Sequence, residues 1–165
     1  MNRYVLADLH LGHKNIYKFR TQPDGTRFLN GKEHDEYVMD MWSDCLPKNC
    51  LVYVLGDICF NQEGLKKFKR LHGTKHIVLG NHDIPIQNFL PFCHVVPMVS
   101  KTILGVHCIM THIPIHFTQL ERWTFNIHGH IHGQQDVSER HINTSLEAIG
   151  FMPREIEELV AAHRV

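Results

Sequence analysis

Five short polar clusters in this sequence carry side chains able to hold metal ions: Asp8-Leu9-His10, Gly56-Asp57, Gly80-Asn81-His82-Asp83, Thr111-His112 and Gly129-His130-Ile131-His132. Histidine is unusually frequent, at 15 of 165 residues. Imidazole is the commonest metal-ligating side chain, and with carboxylate and amide oxygens it makes a donor set suited to Mn, Fe, Co, Ni or Zn and unsuited to Cu(I). Sulfur does not join that set. Cys45, Cys50, Cys59, Cys93 and Cys108 are scattered without a C-x-x-C pair, so neither a thiolate zinc site nor a disulfide framework is expected, and a reducing cytoplasm fits. Each cluster alone reads most simply as a surface pair or a hydrogen-bonded polar group. Their joint meaning depends on where the chain places them.

The elements around the clusters predict one place. Tyr4–Ala7, Leu51–Leu55 and His76–Leu79 are short runs rich in apolar and β-branched residues, consistent with buried strands. Tyr37, Val38, Met41, Trp42 and Cys45 recur at helical spacing before Pro47, and Leu65, Phe68 and Leu71 mark a helix closed by Gly73. Strand, helix and strand in alternation imply parallel pairing through right-handed crossovers. In the second half, Val95–Val96, Thr102–Leu104, Val106–Met110 and Phe125–Ile127 read as strands joined by short turns, which suggests a more antiparallel second sheet. Pro153 is expected to open a last helix, with Ile156, Leu159 and Val160 packed on the outside. Residues 21–31, with Pro23, Gly25 and Gly31, read as a loop overhanging the strand ends.

Each cluster then directly follows a strand, and ligands of open α/β sheets bind beyond the carboxyl ends of their strands. Residues two apart in extended chain share a side, which would pair Asp8 with His10 and His130 with His132. Glycines 56, 80 and 129 would allow sharp turns beside them.

Composition sets the outer bounds. Hydrophobic residues make up 43% and charged residues 21%, so a single globular domain over 1–165 is expected, with no repeat or linker. Seventeen basic residues balance seventeen acidic ones, so there is no long-range field to gather extended nucleic acid or an anionic membrane. Lys66, Lys67, Lys69 and Arg70 read as a solvated helix face, and no apolar run approaches the roughly 18 residues of a spanning helix. Any anionic partner would therefore be held locally, not gathered by a field.

In this order and placement, the clusters resemble the calcineurin-like metallophosphoesterases, whose motifs are D-x-H, G-D, G-N-H-[DE], a later H and G-H-x-H. The resemblance covers residues 4–132. Asp8-Leu9-His10-Leu11-Gly12-His13-Lys14-Asn15-Ile16 and Asn143-Thr144-Ser145-Leu146-Glu147 are similar to a branch of small bacterial and phage members. The resemblance implies an α/β/β/α sandwich of two mixed sheets flanked by helices, and two divalent ions, with Mn²⁺ favoured. One ion would be held by Asp8, His10, Asp57 and His132, the other by Asp57, Asn81, His112 and His130. It further implies hydrolysis of a small phosphodiester, or a phosphomonoester, by hydroxide bridging the two ions, so that a small phosphate ester or nucleotide is the expected partner.

His82 resembles the family's leaving-group histidine, and Asp83 is expected to orient its ring. Where many members follow the intermediate histidine with glycine, this chain has His112-Ile113-Pro114-Ile115-His116, so a stiffer loop beside the second ion is expected. His13, Asn15 and His116 are candidate substrate contacts, with Lys14 beside them. His107, Cys108 and His128 read as strand residues, and Asn143 and Glu147 as structural ones. His34, His72, His76, His94, His141 and His163 carry no motif. The contrasting reading, a binding or scaffold module on the same fold, would predict lost ligands; every expected position is filled.

Overall fold

In the computed structural model, which describes residues 1–164, the chain runs in this order: β1 (Arg3–Leu6), α1 (Gly31–Cys45), β2 (Leu51–Leu55), α2 (Gln62–Arg70), β3 (Thr74–Val78) and β4 (His94–Val96). There follow β5 (Val99–Ile103), β6 (Val106–Met110), β7 (Phe125–His128), β8 (His141–Asn143), β9 (Arg154–Glu155) and α3 (Ile156–Ala162). The fold is an α/β sandwich of two mixed sheets flanked by three helices. The first sheet has the order β4-β3-β2-β1-β9, parallel except for β9, and the second has the order β5-β6-β7-β8. Among the described residues no helix is long and apolar enough to cross a membrane.

Period-two alternation sorts the strand side chains into two cores. Leu6, Val52, Val54 and Ile77 face α1 and α2, where they meet Val38, Trp42, Leu65 and Phe68. Val5, Tyr53, Leu55 and Val78 face the other way, onto Cys108, Met110, Phe125 and Ile127 of the second sheet. Both long helices begin on asparagine caps. Asn30 accepts from the Lys32 and Glu33 amides, and Asn61 accepts from the Gly64 amide while donating to the Gly12 carbonyl. That second cap ties the start of α2 to the loop after β1.

Three expectations change. The second sheet is antiparallel only at β5–β6, whereas β6-β7-β8 run parallel, joined by the long connections 111–124 and 129–140. Parallel pairing puts the loops after β6 and β7 at one edge of the sheet; a hairpin there would have sent their histidines to opposite ends. Pro153 opens the two-residue strand β9 instead of a helix, and the Ile156, Leu159 and Val160 stripe of α3 enters the core between the sheets. Residues 21–31 fold back through a Thr21–Arg27 bridge with Phe28 buried, and residues 16–20 line the site in their place.

The glycines also act differently from expectation. Gly56 does turn with positive φ, but Gly80 and Gly129 matter for close approach. A Cβ at Gly80 would collide with the Asp57 carboxylate and amide, and one at Gly129 with the Ala7 side chain and Asp8 carboxylate. Gly80→Ala is therefore expected to destabilise the fold by about 1–3 kcal/mol, as overpacking does. Gly133→Ala, whose Cβ would meet only ordinary contact at 3.6 Å, should stay within about 0.5 kcal/mol. Urea midpoints of the two variants read the difference.

Candidate metal centre

The loops after β1, β2, β3, β6 and β7 meet at one end of the sandwich. Their backbone is unusual there, because Asp8, His10, Asp57, His130 and His132 all have positive φ, between 49° and 73°. The expected extended pairing of Asp8 with His10, and of His130 with His132, is replaced by left-handed residues that swing alternate side chains inward. Each such residue costs roughly 1–2 kcal/mol and persists because its surroundings hold it. Here the hold is a continued ladder: Asp8 N–H donates to the Gly56 carbonyl, His10 N–H to Asp57, Leu11 N–H to Ile58 and Gly129 N–H to His112.

Two groups of ligand atoms result, Asp8–His10–His132 and Asp57–His112–His130, with the atoms of each group within 4.8 Å of one another. His10 Nε2 lies 3.7 Å from Asp8 Oδ1 and 3.7 Å from Asp57 Oδ2. His112 Nε2 lies 3.4 Å from Asp57 Oδ1, 2.9 Å from Asn81 Oδ1 and 3.3 Å from His130 Nδ1. Asp57 thus turns one oxygen to each group. Ligands about 2.1 Å from a shared ion stand roughly 3.0–3.5 Å apart, so the spacing suits coordination.

Proton placement makes the same case. His112 Nδ1–H donates to the Leu55 carbonyl at 2.9 Å, leaving Nε2 as a lone pair that faces the oxygens of Asp57 and Asn81. Acceptors facing acceptors call for a cation between them. In the first group, Asp8 Oδ1 and both ring nitrogens of His10 are buried without a hydrogen-bond partner, a costly state that a bound ion would relieve. Asp8 and Asp57 are 0% and 1% exposed. Burial works to raise the Asp8 pKa, but the neighbouring His10 and His112 rings and the His130 amide outweigh it and hold it low. Burial depresses His10 and His130, which favours the neutral, ligating imidazole.

A further layer, not assigned a role from sequence, fixes the first group. Glu147 Oε1 lies 3.1 Å from His132 Nδ1 and 2.7 Å from Arg20 Nε, so the ring donates Nδ1–H and keeps Nε2 free. Burial opposes the charge on Glu147, yet the His132 hydrogen bond and the Arg20 charge bring its pKa to about 2. Because that value lies below the unfolded one, the stabilisation is present above the ordinary glutamate range and is lost as pH falls towards 2. His132 is raised by the same hydrogen bond. Arg20, 2% exposed, also donates to the Asp8 carbonyl and meets His34 Nε2 at 3.1 Å. Asn143 donates to the His132 carbonyl at 2.6 Å. The Asn143–Glu147 run, read from sequence as structural, therefore positions His132.

The expected Asp83–His82 contact is not formed. Both Asp83 oxygens accept backbone amides, Oδ1 from Ile58 and Cys59 and Oδ2 from Gly80, so Asp83 holds the loops after β2 and β3 together. Burial pushes its pKa up to about 6 despite those amides. His82 instead donates its backbone N–H to Asp57 Oδ1 at 3.0 Å, and its exposed ring stacks on Phe60 with centroids 5.2 Å apart. His13 meets the same Phe60 edge-on at 4.4 Å. Asn15 and Lys14 are exposed and do not line the cleft beside the ligands. His116 caps its own turn with its ring 2.8 Å from Thr118 Oγ1, outside the cleft beside the ligands. The stiff loop after His112 is pinned by Ile115, whose N–H donates to Asn126 Oδ1 and whose carbonyl meets His141 Nε2.

No family model matches the chain. It is 25% identical to an uncharacterized protein of Methanocaldococcus jannaschii, over 95% of this chain and 88% of that one. A protein of unknown function from Aquifex aeolicus superposes with a TM-score of 0.75 at 21% identity, over 98% of both chains. A novel archaeal phosphodiesterase superposes with a TM-score of 0.50 at 18% identity, over 87% of this chain and 82% of that one. At these identities the likeness establishes a shared fold, one of whose carriers is a phosphodiesterase.

Proposed function

We propose that the protein is a metal-dependent phosphoesterase of the calcineurin-like kind, acting on a small phosphodiester in preference to a phosphomonoester. The observation that carries this reading is Asp57, with Oδ2 directed to His10 and Oδ1 to His112, a carboxylate set to bridge two cations. Asp8, His10, Asp57 and His132 would hold one ion, and Asp57, Asn81, His112 and His130 the other, with Mn²⁺ favoured. Two such ions supply Lewis acidity for the phosphoryl group and lower the pKa of a water towards neutrality.

The chain's own groups do the rest. Leu55 and Glu147 set the tautomers of His112 and His132. The His82 amide steadies the Asp57 carboxylate, while its ring, held against Phe60 and 6.4 Å from the His10 ring, gives a proton to the departing oxygen. Zero net charge supports a small substrate over extended nucleic acid. The five free cysteines suit the reducing cytoplasm.

Exhaustive chelation is expected to abolish hydrolysis of a nitrophenyl phosphodiester, and Mn²⁺ to restore it. Mn²⁺ at about a hundredfold excess over Kd should add about 2.7 kcal/mol of stability to the native chain. Asp57→Asn should forfeit both effects; full activity in metal-free protein would end this reading. His82→Ala should retain its ions by elemental analysis, since the proposed ligands remain. Its kcat should fall by about 10²–10⁴ on an alkyl ester, whose alkoxide needs a proton, and much less on a nitrophenyl ester. Equal losses on both would reassign His82 to phosphate positioning.

A further inference from the structure

A cleft of about 480 Å³ opens directly beside the Asp8–His10–His132 group, and His10 and His132 themselves line it. That volume lies within the range of small-molecule sites and exceeds what a phosphoryl group fills. Ile16, Phe19 and Phe60 also line the cleft, Phe60 with its ring 5.2 Å from that of His10, together with the His13 and His82 rings that pack on Phe60. Phe19 is 79% exposed, an aromatic ring left standing at the cleft with its face open to solvent.

The charge of the cleft is as informative as its shape. Among the described residues that line it the one permanent cation is Arg20, and every arm of that guanidinium is already engaged: Nε by Glu147, Nη1 by His34 and Nη2 by the Asp8 carbonyl. Glu147 cancels its charge at 2.7 Å. A second phosphate or a polyanionic sugar would thus find no free cation, whereas a flat, uncharged group would find aromatic and aliphatic contact.

We infer that this cleft is a subsite for a neutral planar ring, a nucleobase, carried on the arm of the phosphodiester that is not expelled, with the phosphoryl group at the ligand groups. The inference rests on the phosphoesterase reading and narrows it to diesters of nucleosides. Phe19 is its specificity-determining residue, since a base stacks on an open aromatic ring regardless of its hydrogen-bonding edge, whereas Phe60 is already stacked with His82 and walls the cleft.

The test compares two esters with the same leaving group and charge: thymidine 5′-(p-nitrophenyl) phosphate and methyl p-nitrophenyl phosphate. With Mn²⁺-loaded protein, kcat/KM should be at least about tenfold higher for the thymidine ester, a ratio in keeping with one stacked base. Phe19→Ala should bring that ratio towards one. A second arm titrates metal-free protein with thymidine and follows backbone amide shifts in NMR spectra. Saturable shifts confined to residues 16–20, Phe60 and Gly133 are expected, with none from glucose. Equal kcat/KM for the two esters, or a preference that Phe19→Ala leaves intact, overturns the subsite while leaving the phosphoesterase reading standing. If neither ester is hydrolysed, that reading fails, and the shifts alone decide: thymidine shifts in the cleft uphold the subsite, and their absence overturns it.

Discussion

Two carboxylates, Asp8 and Asp57, are buried side by side at the strand ends, and most of the architecture around them answers the cost of burying such polar groups there. Backbone amides supply part of the answer, since His130 N–H donates to Asp8 Oδ2 and His82 N–H to Asp57 Oδ1. Those amides belong to loops of different sheets. Bringing them within reach requires the parallel β6–β7 pair, the missing side chains at Gly80 and Gly129, and the Asp83 clamp between the loops after β2 and β3. Imidazoles complete the shell without adding permanent charge, so the oxygens that remain point at lone pairs. Such a set is one that a pair of divalent cations would balance.

The compensation extends outward in a graded way. Arg20 and Glu147 form an internal ion pair in contact with His132, and Arg20 also grips the Asp8 carbonyl. One pair therefore braces two separate strands' ligands at once. It also leaves the adjoining cleft electrically quiet, so the same contact that orients a ligand also shapes what can lie beside it.

Much of this was legible in the amino-acid order. The clusters after apolar runs, the strand and helix alternation, and the exact run Val106–Met110 as a strand all depend on local pattern. What stayed hidden depends on contacts distant in sequence. Arg20 and Glu147 are 127 positions apart, and Arg20 carries no motif. Glu147 did carry a signal, its place in a run shared with the branch of small members, but pattern alone gave it no neighbour. Phe60 lies three residues after Asp57, just before the Asn61 cap, and only the folded loop sets it against His82. Asp83 was misread because adjacency to His82 suggests a side-chain partner, whereas the turn directs its carboxylate to amides. The parallel β6–β7 pairing was missed because connections 111–124 and 129–140 contain no α-helix to announce a crossover.

The left-handed backbone at Asp8, His10, Asp57, His130 and His132 bears on how such a chain would drift over generations. Glycine and asparagine adopt that conformation more readily than most residues do. Replacement of one of these histidines by either would leave the loop's path unchanged while relieving the local backbone. Descendants that lose these side chains can therefore keep the sandwich intact, and glycine or asparagine should arise at these positions sooner than the fold collapses.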